Sequence, residues 1–510
     1  MAPTRREVIA QIALAVVFPR LPSIITNADP LDGTIAEYQT GRRRRAWSAA
    51  EVTALALERC RTLGAKWRAI DVLSDSALNE ARASDQRLRS GRLLGPMDGV
   101  PVFAKSIYDM RGLPTTASNS EWARLFPEIV QRDAEEVARL RAAGAIVLGK
   151  TAADDFAYHG SGTSSHTGQV VNPHDSTGTR TPGGSSAGSA VAVASGMAFA
   201  GLGTDDGGSN RIPAQFTGVV GMKPTFGLVP RDGVIPTWPY LDTHGPLARY
   251  VADAALLLAA IANLEMPRLR GDALKGVRLG LVEAHVPRGQ MTAEALEVWD
   301  RVIADLRAAG AIVEPFNPPV TRANYRAAFN AASQSRGDVT PSARPPASTA
   351  NALYQYFSGR TAEPREAMRR GYSAYRAFYD VLPATFEECE KLLGQAVDSD
   401  PTGKSFAQSR AAVVAQLGDT MRAANVKAMV YPTMPFNAFR TDKGWPDVGT
   451  PLGYGNWLGL PEVSVPAGFG ADGLPALNLS VVGLHGEDAR VLSLAHAYEQ
   501  QSRRFKAPHG

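Results

Sequence analysis

Cysteine is nearly absent. The chain has two, Cys60 and Cys389, which excludes a disulfide framework and a cysteine-rich metal centre. A field of one sign is lacking too. The 54 Lys and Arg residues nearly balance 50 Asp and Glu, leaving +4 over 510 residues. So weak a field does not suit a nucleic-acid binder, and the one basic run, Arg42 to Arg45, reads as a solvated loop. The eight histidines form no HExxH pattern, which argues against a zincin. No apolar run reaches the ~20 residues of a membrane-spanning helix. With 48 Gly and 35 Pro, the chain is far from a low-complexity polymer. What remains is a globular composition, 44% hydrophobic and 20% charged, long enough for a large core.

The first residues have a pattern of their own. Arg5-Arg6 precede a modest apolar stretch from Val8 to Phe18, and the small residue Ala28 marks a candidate cleavage site. This resembles a twin-arginine export signal. The expected organisation is a signal over 1–28 and one domain over 29–510, with the protein exported to a periplasm or secreted.

Beyond Ala28 the chain alternates helices and buried strands, which predicts an α/β layered fold. Ser48-Ala49-Ala50-Glu51 is a capping box that opens a helix reaching about Arg61. Asp98-Gly99 turns into a buried strand, Val100 to Ala104. The string Leu-Arg-Ala-Ala-Gly-Ala-Ile-Val starts at both Leu140 and Leu306. It reads as one helix–glycine–strand solution used twice, since the surrounding residues do not match. Ser333 to Ala350, rich in Ser, Pro and Ala, reads as a long loop. Val491, Leu492, Leu494, Ala495 and Tyr498 mark the apolar face of a last helix.

Chemistry concentrates in Thr181 to Pro224. Thr181-Pro182-Gly183-Gly184-Ser185-Ser186 leads into a small-residue helix over Ala187 to Ala194. An apolar strand from Met197 to Leu202 follows, then a second turn, Gly203-Thr204-Asp205-Asp206-Gly207-Gly208-Ser209. Glycines let backbone N–H groups face a ligand without a Cβ in the way. A run such as Asp206, Gly207 and Gly208 can aim several donors at one oxygen, as an oxyanion hole requires. A serine ending the run can attack a carbonyl held there, given a base. Gly184-Ser185-Ser186-Ala187-Gly188 also fits the G-x-S-x-G nucleophile elbow with Ser186. That elbow needs an apolar strand before it, and Asp175 to Pro182 is polar and turn-like.

These turns, with Arg211-Ile212-Pro213-Ala214 and Gly218-Val219-Val220-Gly221-Met222-Lys223-Pro224, resemble the amidase signature family. The 24-residue spacing between Ser185 and Ser209 agrees with it. Weaker likeness runs from about Asp32 to Gln500. The resemblance implies a single α/β/α domain with a mixed, mostly parallel central sheet. It implies a Ser–cis-Ser–Lys triad: Ser209 as nucleophile, Ser185 after a cis peptide as bridge, and Lys105 at the end of its strand as base. It further implies that Asp205 and Arg211 pair to brace the turn. No metal or organic cofactor is implied, and the partner is a small-molecule amide substrate. The choice between monomer and homodimer stays open. The expected activity is hydrolysis of linear amide C–N bonds. An esterase or urethanase with the same triad, and the glutamine-amidase subunit of an amidotransferase, are the alternatives.

The chain departs from the family pattern in places. Ser106-Ile107-Tyr108 follow the lysine, Asp206 puts a carboxylate in the oxyanion turn, and Asn210 stands at an apolar position. Tyr158-His159 occupy a segment expected to line the substrate pocket. Trp238, Tyr240, Tyr454 and Trp457 are further aromatic candidates for it, which suggests a bulky or aryl substrate group.

Overall fold

The computed structural model describes residues 29–395, 400–448 and 452–508. The expected export signal at 1–28 lies outside the described residues. Eleven strands form one mixed sheet with helices on its faces. In chain order the strands are β1 (Ile70–Leu73), β2 (Pro101–Lys105), β3 (Ile146–Thr151), the small β4–β5 hairpin (Thr163–Ser164, Gly168–Gln169), β6 (Ala200–Thr204), β7 (Val220–Lys223), β8 (His244–Ala248), β9 (Arg278–Leu281), β10 (Ile312–Pro315), β11 (Ala428–Pro432), β12 (Glu462–Phe469) and β13 (Pro475–Val482). Across the large sheet they run β1-β3-β2-β6-β8-β7-β12-β13-β11-β9-β10.

The sheet is mixed as expected, but its balance differs from the mostly parallel one implied. Four of its ten strand pairings are parallel and six antiparallel. The parallel blocks, β3-β2-β6 and β11-β9-β10, are those whose strands are joined through helices. Between them the neighbouring strands pair antiparallel. β12 and β13, for example, are joined by a tight turn through Asp472-Gly473, which forces an antiparallel pair.

Local signals place the elements well. Ser48 caps a helix with the reciprocal Glu51 bond, and the helix continues to Trp67. The small-residue helix spans Ala187–Ala194 and is wholly buried, as its composition allows. Asp488–Ser502 buries Val491, Leu492, Leu494, Ala495 and Tyr498. The expected loop over 333–350 is only partly a loop. Pro346 sits in the first helical turn, where its missing N–H costs nothing, and a helix runs to Ser358 with Ala347, Ala350, Leu353 and Phe357 buried. No helix among the described residues is long and apolar enough to cross a membrane.

Candidate active site

Two neighbouring strands and two turns bring the expected residues together. β2 ends at Lys105, β6 ends at Thr204, and the two are neighbours through the parallel β2–β6 pairing. The two serine turns open off this edge, one before the Ala187–Ala194 helix and one after β6. They are bonded to each other: the Ser186 N–H donates to the Ser209 carbonyl at 3.1 Å. The Gly184–Ser185 peptide is cis.

Lys105 is 0% exposed. Its Nζ donates to Ser185 Oγ at 2.7 Å and to Thr204 Oγ1 at 2.9 Å. Burial lowers its pKa to about 8, against the opposing pull of Asp206, Asp154, Asp242 and Asp205. Ser209 is 9% exposed. Ser186, the elbow candidate, is fully buried. Its Oγ donates to Asn210 Oδ1 at 3.1 Å and accepts from the Thr204 N–H at 3.2 Å. The segment before it is not a strand, so Ser186 ties the two turns together.

Asp205 and Arg211 do pair. Arg211 Nε and Nη2 each reach an Asp205 carboxylate oxygen at 2.9 Å, a bidentate fork. Both residues are sealed from solvent. Burial pushes the Asp205 carboxyl up, but Arg211 and Asn456 outweigh it and hold the carboxyl well below the usual carboxylate range. The same Arg211 donates to Glu462 Oε2 at 2.6 Å and Asn456 Oδ1 at 2.6 Å, and Asn456 Nδ2 returns to Asp205 Oδ1 at 2.8 Å.

This brace changes the expected oxyanion set. The Gly208 N–H donates to Asp205 Oδ1 at 2.7 Å, so that donor is engaged in holding the turn and not free for a ligand. The N–H groups of Asp206 and Gly207 have no such partner among the described residues. The Asp206 side chain turns to Thr237, whose hydroxyl bonds its Oδ2, and Oδ1 is buried without a partner. Burial and the nearby Asp242 carboxylate push Asp206 well above the carboxylate range. That shift disfavours the charged form of Asp206 and lessens its opposition to a developing oxyanion.

Tyr158 is half-buried, its ring 5.9 Å from Trp238 and 5.7 Å from Tyr379. His159 is exposed and stacks edge-on with Tyr158 at 4.9 Å. Tyr454 is not a pocket residue: its ring is fully buried and its hydroxyl donates to the Val320 carbonyl. Trp457 lines a cavity of about 680 Å³. Sequence reasoning missed Thr204, Thr237, Asn456 and Glu462. Thr204 lies inside the motif itself, whereas Asn456 and Glu462 reach Arg211 from about 250 residues away.

Comparison with known proteins identifies the family. The Amidase family model matches residues 51–492. A glutamyl-tRNA(Gln) amidotransferase subunit of Ralstonia nicotianae is 33% identical, over 84% of this chain and 90% of that protein. The counterpart from Paramagnetospirillum magneticum is 32% identical, over 94% and 99%. Among solved structures, native peptide amidase from Stenotrophomonas maltophilia superposes with a TM-score of 0.74 at 29% identity, covering 94% of this chain and 98% of its own. The chain belongs to the amidase signature family and is an amide-hydrolysing α/β enzyme.

Proposed function

We propose that this enzyme hydrolyses linear carboxamides, bulky or aryl ones among them, through an acyl-enzyme on Ser209. One observation carries the reading: a fully buried lysine, lowered to about 8, donates at 2.7 Å to a serine on the turn bonded to that of Ser209. In its neutral form Lys105 takes the Ser185 proton while Ser185 takes that of Ser209. Ser209 Oγ bonds to the carbonyl carbon, and the carbonyl electron pair moves onto oxygen. The Asp206 and Gly207 N–H groups stabilise that oxyanion. Collapse breaks the C–N bond, and the proton held by Lys105 returns through Ser185 to the departing amine. Water then attacks the acyl-enzyme by the same relay. No step requires a metal or organic cofactor. The same machinery accommodates esters and carbamates.

A second reading rests on the curated relatives, which are named as one subunit of an amidotransferase. It makes glutamine the amide and a further subunit the partner. The test is a panel of an anilide, an aliphatic amide, a carbamate, an ester and glutamine, run with Ser209→Ala and Lys105→Ala. The proposal expects anilide turnover that both variants lose with folding intact. Turnover surviving in Ser209→Ala would overturn the site assignment. Ammonia release confined to glutamine would favour the second reading.

A further inference from the structure

The cavity of about 680 Å³ that Trp457 lines has a charge of one sign. Arg322, Arg326 and Arg344 line it, with Phe329, Phe406 and Trp457, and no Asp or Glu is among its lining residues. Two of the arginines come from the start of the Tyr325–Gln334 helix and the residues just before it. The third comes from the loop ahead of the Pro346–Ser358 helix. Arg326 and Arg344 are ion-paired to nothing among the described residues. Arg344 instead lies flat over the Trp238 ring at 3.5 Å.

Two chains of contacts link the cavity walls to the site. Trp238 follows Thr237, whose hydroxyl bonds Asp206, three residues before Ser209. On the other side, Trp457 ends the Gly453–Trp457 helix, whose Asn456 holds Asp205 and whose preceding Leu452 carbonyl accepts from Arg211. Arg344 is also near enough to Asp206 to feel its charge, so the aromatic-walled, arginine-lined cavity borders the elements that hold the serine turn. Pockets of a few hundred Å³ with apolar walls and a few polar anchors are the ordinary form of a small-molecule site. A planar guanidinium matches a carboxylate in two-point geometry.

We infer that the substrate is an amide whose non-reacting end is a flat, anionic group, lodged among Phe329, Phe406 and Trp457 and bound by Arg326 and Arg344. This rests on the amidase reading and narrows its substrate class. Asp206 and Asp380 are the carboxylates that Arg344 feels. Neither forms an ion pair with it among the described residues, so the guanidinium is left to its Trp238 contact and to a ligand.

The test uses matched substrates in the full enzyme. 4-Carbamoylbenzoate is compared with 4-methylbenzamide for an anion on the acyl side, and 4-acetamidobenzoate with 4-methylacetanilide for one on the amine side. The expected result is a kcat/KM about tenfold or more higher for the carboxylate in one of the pairs, the scale of a charge-assisted hydrogen bond. In Arg326→Gln and Arg344→Gln that ratio falls toward one, and rising salt shrinks it in the unmodified enzyme. No preference in either pair, or equal losses on both members of a pair in the variants, would overturn the inference. Should no amide turn over, the amidase reading fails separately. Quenching of tryptophan fluorescence by benzene-1,4-dicarboxylate, absent in Arg326→Gln and with the neutral 4-methylbenzamide, would then uphold the site. Absence of binding would refute it.

Discussion

Eight residues, Leu-Arg-Ala-Ala-Gly-Ala-Ile-Val, occur toward both ends of the sheet and take one shape twice. Each copy closes a helix, turns at a glycine with φ of +86° (Gly144) or +89° (Gly310), and enters a strand parallel to its neighbour. Their surroundings then diverge. β3 is buried along its whole length and ends at Lys150 and Thr151, in register with Ala104 and Lys105. β10 is the last strand of the sheet, with Ile312, Glu314 and Pro315 exposed. The octapeptide thus dictates a local path, and the strand beside it decides burial and chemistry.

The largest effects should therefore fall on the first region. Lys105→Ala and Ser209→Ala are each expected to lower kcat by about 10⁴-fold or more, as losses within a catalytic unit do. Ile312→Thr on the exposed edge should leave kcat within about twofold. A comparable loss in Ile312→Thr, read by steady-state anilide hydrolysis, would break the comparison. Next is the brace. Asp205→Ala leaves the Arg211 charge buried with one carboxylate fewer and should cost about 3–5 kcal/mol in denaturant unfolding. A loss under about 1 kcal/mol would mean that Glu462 alone satisfies Arg211.

Alanine at the two glycines sharpens the contrast. Both substitutions force left-handed backbone, at about 1–2 kcal/mol. At Gly144 a Cβ would also lie 2.7–2.8 Å from atoms of the buried Asp98, against 3.2 Å from the Lys275 Cα at Gly310. Overpacking adds about 1–3 kcal/mol at the first site only. Equal melting temperatures for the two variants would contradict this.

The smallest effect separates two lysines on adjacent strands. Burial lowers both Lys105 and Lys150 to about 8. Lys150, however, donates to the Pro114 carbonyl at 2.7 Å and to Thr115 Oγ1 at 3.1 Å, away from both serine turns. The base must be neutral, so kcat/KM should rise tenfold per pH unit up to about 8 and level above it. That limb should persist unmoved in Lys150→Met. Its displacement there would make Lys150 the titrating group.

The parts of the site written locally were legible in the sequence. Both serine turns, the helix between them, Lys105 after its strand and the Asp205–Arg211 pair each lie within a few residues of their signals. What was not legible depends on distant chain. Glu462 and Asn456 reach Arg211 across about 250 residues, and the engagement of the Gly208 N–H follows from how that brace orients Asp205. The helix from Pro346 hides in a Ser-, Pro- and Ala-rich stretch because its small residues become an apolar face only once buried. Arg326 and Arg344 stay exposed, and nothing local in the sequence marks the cavity that they line together.

The central claim is that Ser209, driven by Lys105 through Ser185, forms the covalent intermediate. Reaction of the enzyme with an alkyl phosphonofluoridate, followed by peptide mass mapping, tests it most directly. The account predicts one adduct, on Ser209, formed far more slowly in Lys105→Ala. An adduct on Ser185 or Ser186, with Ser209 unmodified, would contradict it.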